Sequence, residues 1–149
     1  MRLTAPWRLR YALLQPVATI LKDNMRKIGI GLVGGGYMGK AHAVALSAVG
    51  AVFDTTLRPS LEMICATTET SAEHYRRAYG FARATADWQR LVRDPQVEAV
   101  VIASPQHTHR VIAELAFSLG KPVFCEKPLG ASLAEAEAMV AAAAASGCA

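Results

Sequence analysis

The chain has 149 residues, of which 52% are hydrophobic and 19% charged, and carries a formal net charge of +4. That length is one domain and that composition is globular, while no apolar run approaches the roughly 18 residues of a membrane span. The charge excess lies in residues 1–26, which hold five basic side chains and one acid; residues 27–149 hold 11 of each sign, with no basic patch interleaved with aromatics, so neither a membrane nor a nucleic acid is the expected partner.

Residues 1–24 stand apart from the pattern that follows and are read as a leader, with the domain proper at 25–149. Met25 stands three residues before the first strand, which suits an upstream read-through. The alternative is a targeting segment, arginines first and then a short apolar stretch at 11–21. Gln15 and Pro16 interrupt that stretch, and no small-x-small cleavage pattern follows.

From Met25 onward strand and helix signals alternate. The apolar run at 28–33 predicts the first strand. A helix follows over 38–49, with Met38, Ala41, Val44, Ala45 and Ala48 as its apolar stripe. Residues 50–60, with Gly50, Asp54, Arg58 and Pro59, predict a connection. A second strand at 61–66 precedes a helix at 71–79, stopped by Gly80. A short third strand at 81–85 and a helical turn or two at 87–93 come next. The run at 97–103 predicts a strand buried on both faces. A helix at 108–119 shows the stripe Val111, Ile112, Leu115, Ala116 and Leu119, and Gly120 ends it. A fifth strand at 122–125 precedes a helix at 132–145, opened by the capping box Ser132-Leu133-Ala134-Glu135. The fold class is therefore α/β, a Rossmann-type doubly wound parallel sheet of order 3-2-1-4-5. A bare edge beside the fifth strand is expected, since a sixth would begin where the chain stops.

Three clusters fall at the carboxyl ends of strands, where open α/β sheets bind ligands. Gly34, Gly36 and Gly39 satisfy G-x-G-x-x-G between strand and helix, the context of a dinucleotide site. The backbone N–H groups of Tyr37 and Met38 are candidate pyrophosphate donors at the helix N-terminus. The plainer alternative is a tight turn without a ligand. Ser104 and Pro105 either end a strand or face the ribose and pyrophosphate. Gln106 either caps the next helix or touches the cofactor. His107 and His109 lie near that helix start, where an exposed histidine is the default. Glu126, Lys127 and Pro128 follow the fifth strand, and Lys127 is the catalytic candidate. A lysine there can hold developing negative charge on a substrate oxygen. Its alternatives are an ion pair with Glu126 or a plain surface lysine.

These motifs, in this order, resemble the Gfo/Idh/MocA oxidoreductases. The resemblance covers about residues 26–149 and rests on Gly39 with His42, on Ser104-Pro105 with His109, and on Glu126-Lys127-Pro128. It implies NAD or NADP as cofactor and hydride transfer on a sugar, polyol or related small molecule. It also implies a second, substrate-binding domain carrying a proton-handling Asp-x-x-x-His, which lies beyond this chain, so the fold is expected as the cofactor half, truncated before that domain. A non-catalytic dinucleotide-binding module is the other reading. The resemblance favours His109 as a site-lining residue and a cis bond before Pro128. His42 is expected to satisfy a backbone group under the glycine turn. At the end of the second strand, where many NAD-binding relatives place an acid for the ribose 2′-OH, this chain has Thr67, which leaves NAD versus NADP open.

Cys65, Cys125 and Cys148 are odd in number and far apart, with no C-x-x-C spacing, so no zinc site or disulfide framework is expected. Cys65 and Cys125 are read as core residues, and a reducing cytoplasm suits them. Substrate and homo-oligomer formation are left open.

Overall fold

Parallel strands and helices alternate in the computed structural model, which describes residues 25–148. Both readings of residues 1–24 fall outside the described residues. The strands are β1 (Arg26–Val33), β2 (Leu57–Cys65), β3 (Arg83–Thr85), β4 (Ala99–Ile102) and β5 (Val123–Cys125). The helices are α1 (Tyr37–Val52), α2 (Glu69–Tyr79), α3 (Trp88–Arg93), α4 (His109–Ser118) and α5 (Leu133–Ser146), with a 3-10 turn at Gln106–Thr108 before α4. The sheet has the order β3-β2-β1-β4-β5, all parallel, as the alternation predicts.

Strand alternation sends side chains to two cores. Ile30, Leu32, Ile64 and Val101 face one side and pack with Ala43 of α1 and with Tyr75 and Tyr79 of α2. Val33, Met63, Cys65, Val100 and Ile102 face the other, under Leu91 and Val92 of α3, Ile112 and Ala116 of α4 and Met139 of α5. A sheet covered on both faces needs strands that are apolar on both faces, which is what β1, β2 and β4 supply. Phe124 of β5 is 59% exposed, and no strand pairs with the outer edge of β5 among the described residues.

Several local expectations are corrected. Residues 57–60 are strand rather than connection. Pro59 sits opposite Ile28 of β1, and β3 pairs with β2 only from Met63 to Cys65. Pro59 therefore has no partner strand on its other side, and its missing N–H breaks no ladder bond. The buried stripe of α1 is Gly39 and Ala43 with Leu46 beside them, while Val44 is 62% exposed. This helix is rich in Ala and Val on every side, so hydrophobicity does not set its phase. The close approach at Gly39 does, where an added Cβ would lie 2.0 Å from the Gly34 carbonyl oxygen.

In α4 the buried face is His109, Ile112, Ala113, Ala116 and Phe117, and Val111 is 51% exposed. The capping box at α5 is half formed. Ser132 accepts from the Glu135 N–H at 3.2 Å, but Glu135 accepts from Ala131, one residue upstream of the expected donor. A reciprocal box forms instead at α2, between Thr68 and Ser71.

Candidate cofactor site

The site begins where β1 ends. Gly34 has φ +102°, and a Cβ there would lie 2.5 Å from the Ala103 carbonyl oxygen, so only glycine turns the chain at this point. Gly36 differs: its φ is −67°, and an added Cβ would meet nothing within 4 Å. No neighbour among the described residues explains a glycine at 36, and the bare backbone leaves room for a ligand to approach. Gly36 is also the N-cap of α1, with no side-chain cap and no acid in the first turn. The starts of α2, α3 and α5 are capped by Thr68, Asp87 and Ser132. The first N–H groups of α1, from Tyr37 and Met38, are thus left for an anion. The Tyr37 side chain is 88% exposed and Met38 half-buried.

In front of this turn lies a cavity of about 810 Å³. Its walls come from the ends of β1, β2 and β4: Gly34 and Gly36, Cys65 and Thr67, Ser104 and Pro105. Sequence reasoning missed Tyr75, Trp88 and Thr108, which also line it. No sequence pattern marks Tyr75 or Trp88, because tertiary packing alone brings α2 and α3 to this rim. Thr108 had a readable signal: it stands four residues after Ser104, and their hydroxyls are 2.7 Å apart, with Thr108 also donating to Pro105 O at 2.8 Å. That pair shapes the Ser104-Pro105 loop.

Among the described residues, no lysine, arginine, aspartate or glutamate lines the cavity. Burial pushes the Cys65 thiol up to about 12, with Asp87 and Glu69 adding to the shift, so Cys65 remains a neutral packing group. Burial likewise holds the Cys125 thiol at about 11. A partly apolar hollow without lysine, arginine or carboxylate among its described lining, beside an uncapped helix start and a side-chain-free turn, fits a dinucleotide. The hollow would take base and sugar, and the amides the pyrophosphate.

The remaining candidates divide. Gln106 is exposed, lies outside the cavity and caps nothing. His107 lines the cavity. His109 does not line it: it is 1% exposed, against the default of an exposed histidine. Its Nε2 donates to Ser104 O at 2.8 Å, and its Nδ1 lies 3.2 Å from Pro128 O and 3.3 Å from Leu129 O. It ties the loop after β4 to the loop after β5 from below.

His42 also departs from expectation. Its Nε2 meets a carboxylate, Glu126 Oε1, at 2.8 Å, rather than a backbone group. Its ring stands edge-on to Phe124 at 5.1 Å. That hydrogen bond holds the Glu126 carboxyl below the usual carboxylate range, helped by the Lys127 N–H at 3.2 Å. Glu126 thus pairs with His42 rather than with the Lys127 ammonium. Lys127 is exposed on the same rim, outside the cavity walls, and its bond to Pro128 is cis.

A family model described as an oxidoreductase family with an NAD-binding Rossmann fold, GFO_IDH_MocA, matches residues 28–149. The chain belongs to the Gfo/Idh/MocA family. Among its relatives, a levoglucosan dehydrogenase of Pseudarthrobacter phenanthrenivorans is 41% identical over 117 residues, which cover 77% of this chain and 30% of that protein. An inositol 2-dehydrogenase of Acidothermus cellulolyticus is 38% identical over 109 residues, covering 73% of this chain and 30% of that one. Among solved structures, levoglucosan dehydrogenase in complex with NADH and levoglucosan superposes with a TM-score of 0.77 at 37% identity, over 78% of this chain and 32% of that chain. This Gfo/Idh/MocA chain therefore spans about 30% of the length of the relatives it matches, and what it shares with them is the NAD-binding Rossmann domain.

Proposed function

We propose that this chain is the cofactor-holding part of an NAD(H)-dependent oxidoreductase acting on a sugar or polyol. The observation that carries the reading is Gly36, whose missing side chain answers to no neighbour among the described residues and which borders the cavity. The named activities of the relatives, on levoglucosan and inositol, supply the substrate class. When bound, the nicotinamide would supply hydride transfer. The amides of Gly36, Tyr37 and Met38 hold the pyrophosphate, and the Ser104-Pro105 loop faces the ribose. Lys127, exposed on the same rim, hydrogen-bonds the substrate oxygen and offsets the negative charge it develops. His42 and His109 act one step back, by fixing the loops that carry Glu126 and Pro128.

NAD(H) is the preferred form. Among the described residues no lysine or arginine lines the cavity to hold a 2′-phosphate, and the Glu69 carboxylate accepts the N–H of Ala86, a wall residue, at 3.0 Å. Titration of the purified chain with NADH by fluorescence tests the cofactor reading, and absence of saturable binding overturns it. Oxidation of a polyol panel, followed by nicotinamide absorbance, separates catalysis from a second reading, a dinucleotide-binding module without turnover.

A further inference from the structure

We propose that Tyr79 is a positioning residue for the pyrophosphate: its hydroxyl locks the Gly35–Gly36 peptide with the Gly36 N–H turned toward the cofactor. The inference rests on the dinucleotide reading above. Tyr79 is the last residue of α2, not part of the glycine turn, yet its hydroxyl donates to Gly35 O at 2.7 Å. The carbonyl and N–H of a trans peptide unit point in opposite directions. Holding the Gly35 carbonyl on the Tyr79 side therefore directs the Gly36 N–H the other way. That N–H makes no hydrogen bond among the described residues, and Gly36 itself borders the cavity.

Such a lock is needed here. A peptide between two glycines has no Cβ on either side to resist a flip. The flipped form would present a carbonyl oxygen, instead of a donor, to two phosphates. Tyr75 supports the lock from the same helix. A Cβ at Gly35 would lie 2.0 Å from Tyr75 Cδ2, so the ring fills the space beneath the turn. Tyr75 and Tyr79, one helical turn apart, stack with centroids 5.4 Å apart and planes at 21°. Burial raises the Tyr79 phenol above its ordinary range, which keeps the donor protonated.

The test compares Tyr79→Phe with the unsubstituted chain. Calorimetric or NMR titration is run with NADH, with ADP, which carries a pyrophosphate, and with adenosine, which carries none. Y79F should weaken NADH and ADP roughly tenfold, the cost of one misdirected hydrogen bond to a charged group, and leave adenosine unchanged. Equal weakening of ADP and adenosine would mean a merely structural role and would overturn the proposal, as would unchanged ADP affinity. A second measurement needs no variant: the Gly36 amide resonance of the unsubstituted chain should move with ADP and not with adenosine. A Gly36 amide indifferent to bound ADP overturns the proposal even if Y79F does not fold. Failure of the unsubstituted chain to bind NADH or ADP at all is a different result, and sinks the dinucleotide reading itself.

Discussion

Gly36, at the turn after β1, and His109, buried beneath the loop after β4, should fail in opposite ways when substituted. Gly36→Val adds a Cβ that meets nothing within 4 Å among the described residues, at a φ of −67° that any residue adopts. Its thermal midpoint should stay within a few degrees of the unsubstituted chain, while NADH affinity falls at least about tenfold through collision with the pyrophosphate. Retained affinity in a fluorescence titration would remove Gly36 from the site. His109→Ala should instead cost roughly 2–4 kcal/mol in urea unfolding, because it leaves the Ser104 carbonyl unpaired and opens a cavity. A loss under about 0.5 kcal/mol would mean that the tie between the loops carries no load. The sequence separates these residues only in part. Gly34, Gly36 and Gly39 are legible because a strand–turn–helix has one arrangement around a pyrophosphate. His109 reads as site-lining, since a motif gives spacing but not whether a ring points into the cavity or beneath it. Tyr75 and Tyr79 were illegible: their partner, Gly35, is some 40 residues away, and no local pattern marks the contact.

The elements divide stability from binding between the two ends of the sheet. At the carboxyl ends of the strands lies the cavity. At the opposite end Arg83, the first residue of β3, bonds both Glu62 of β2 and Asp94, the residue that ends α3. Lys121, just before β5, donates to Asp94 O at 2.7 Å. The Arg83 guanidinium is the main cause that holds the Asp94 carboxyl down at about 2, against an ordinary 3.8. A carboxylate depressed by folding adds stability above its unfolded pKa and loses it as pH falls through the folded value. Asp94→Asn should therefore cost roughly 1–2 kcal/mol at pH 6, with the two chains converging between pH 3.8 and about 2. NADH affinity at pH 7 should not change. A constant gap at every pH, read from urea melts, would show that charge is not the cause. Element order and type were legible throughout because apolar period and glycine stops agree. The phase of α1 was not, since a helix built mainly of Ala and Val gives no polar face to orient it, and in α4 a buried His109 and an exposed Val111 reverse what hydrophobicity predicts. The start of β2 was hidden behind Pro59, which is tolerated only because β3 is too short to reach it.

At the scale of the whole molecule, a two-faced sheet, whose β5 edge is unpaired among the described residues, is held by two cores that meet through the strands. The cavity wall draws on β1, β2 and β4 together with α2 and α3, so a ligand there bridges elements from both cores. Binding should therefore be felt as global stability rather than as local ordering. A ligand at one hundred times its Kd adds about 2.7 kcal/mol to the native state by mass action. For a domain of this size that corresponds to a rise of roughly 5–10 °C in the thermal midpoint. NADH should produce that rise. NADPH at the same concentration should produce about 2 °C or less, because its 2′-phosphate would face Thr67 after β2 and the Glu69 carboxylate at the start of α2, with no lysine or arginine among the described wall residues. Thr67→Arg supplies a cation at that point and should bring the NADPH shift up toward that of NADH. Equal shifts from both cofactors in the unsubstituted chain would refute the preference. The Arg variant leaving NADPH unmoved would place the 2′ group away from Thr67.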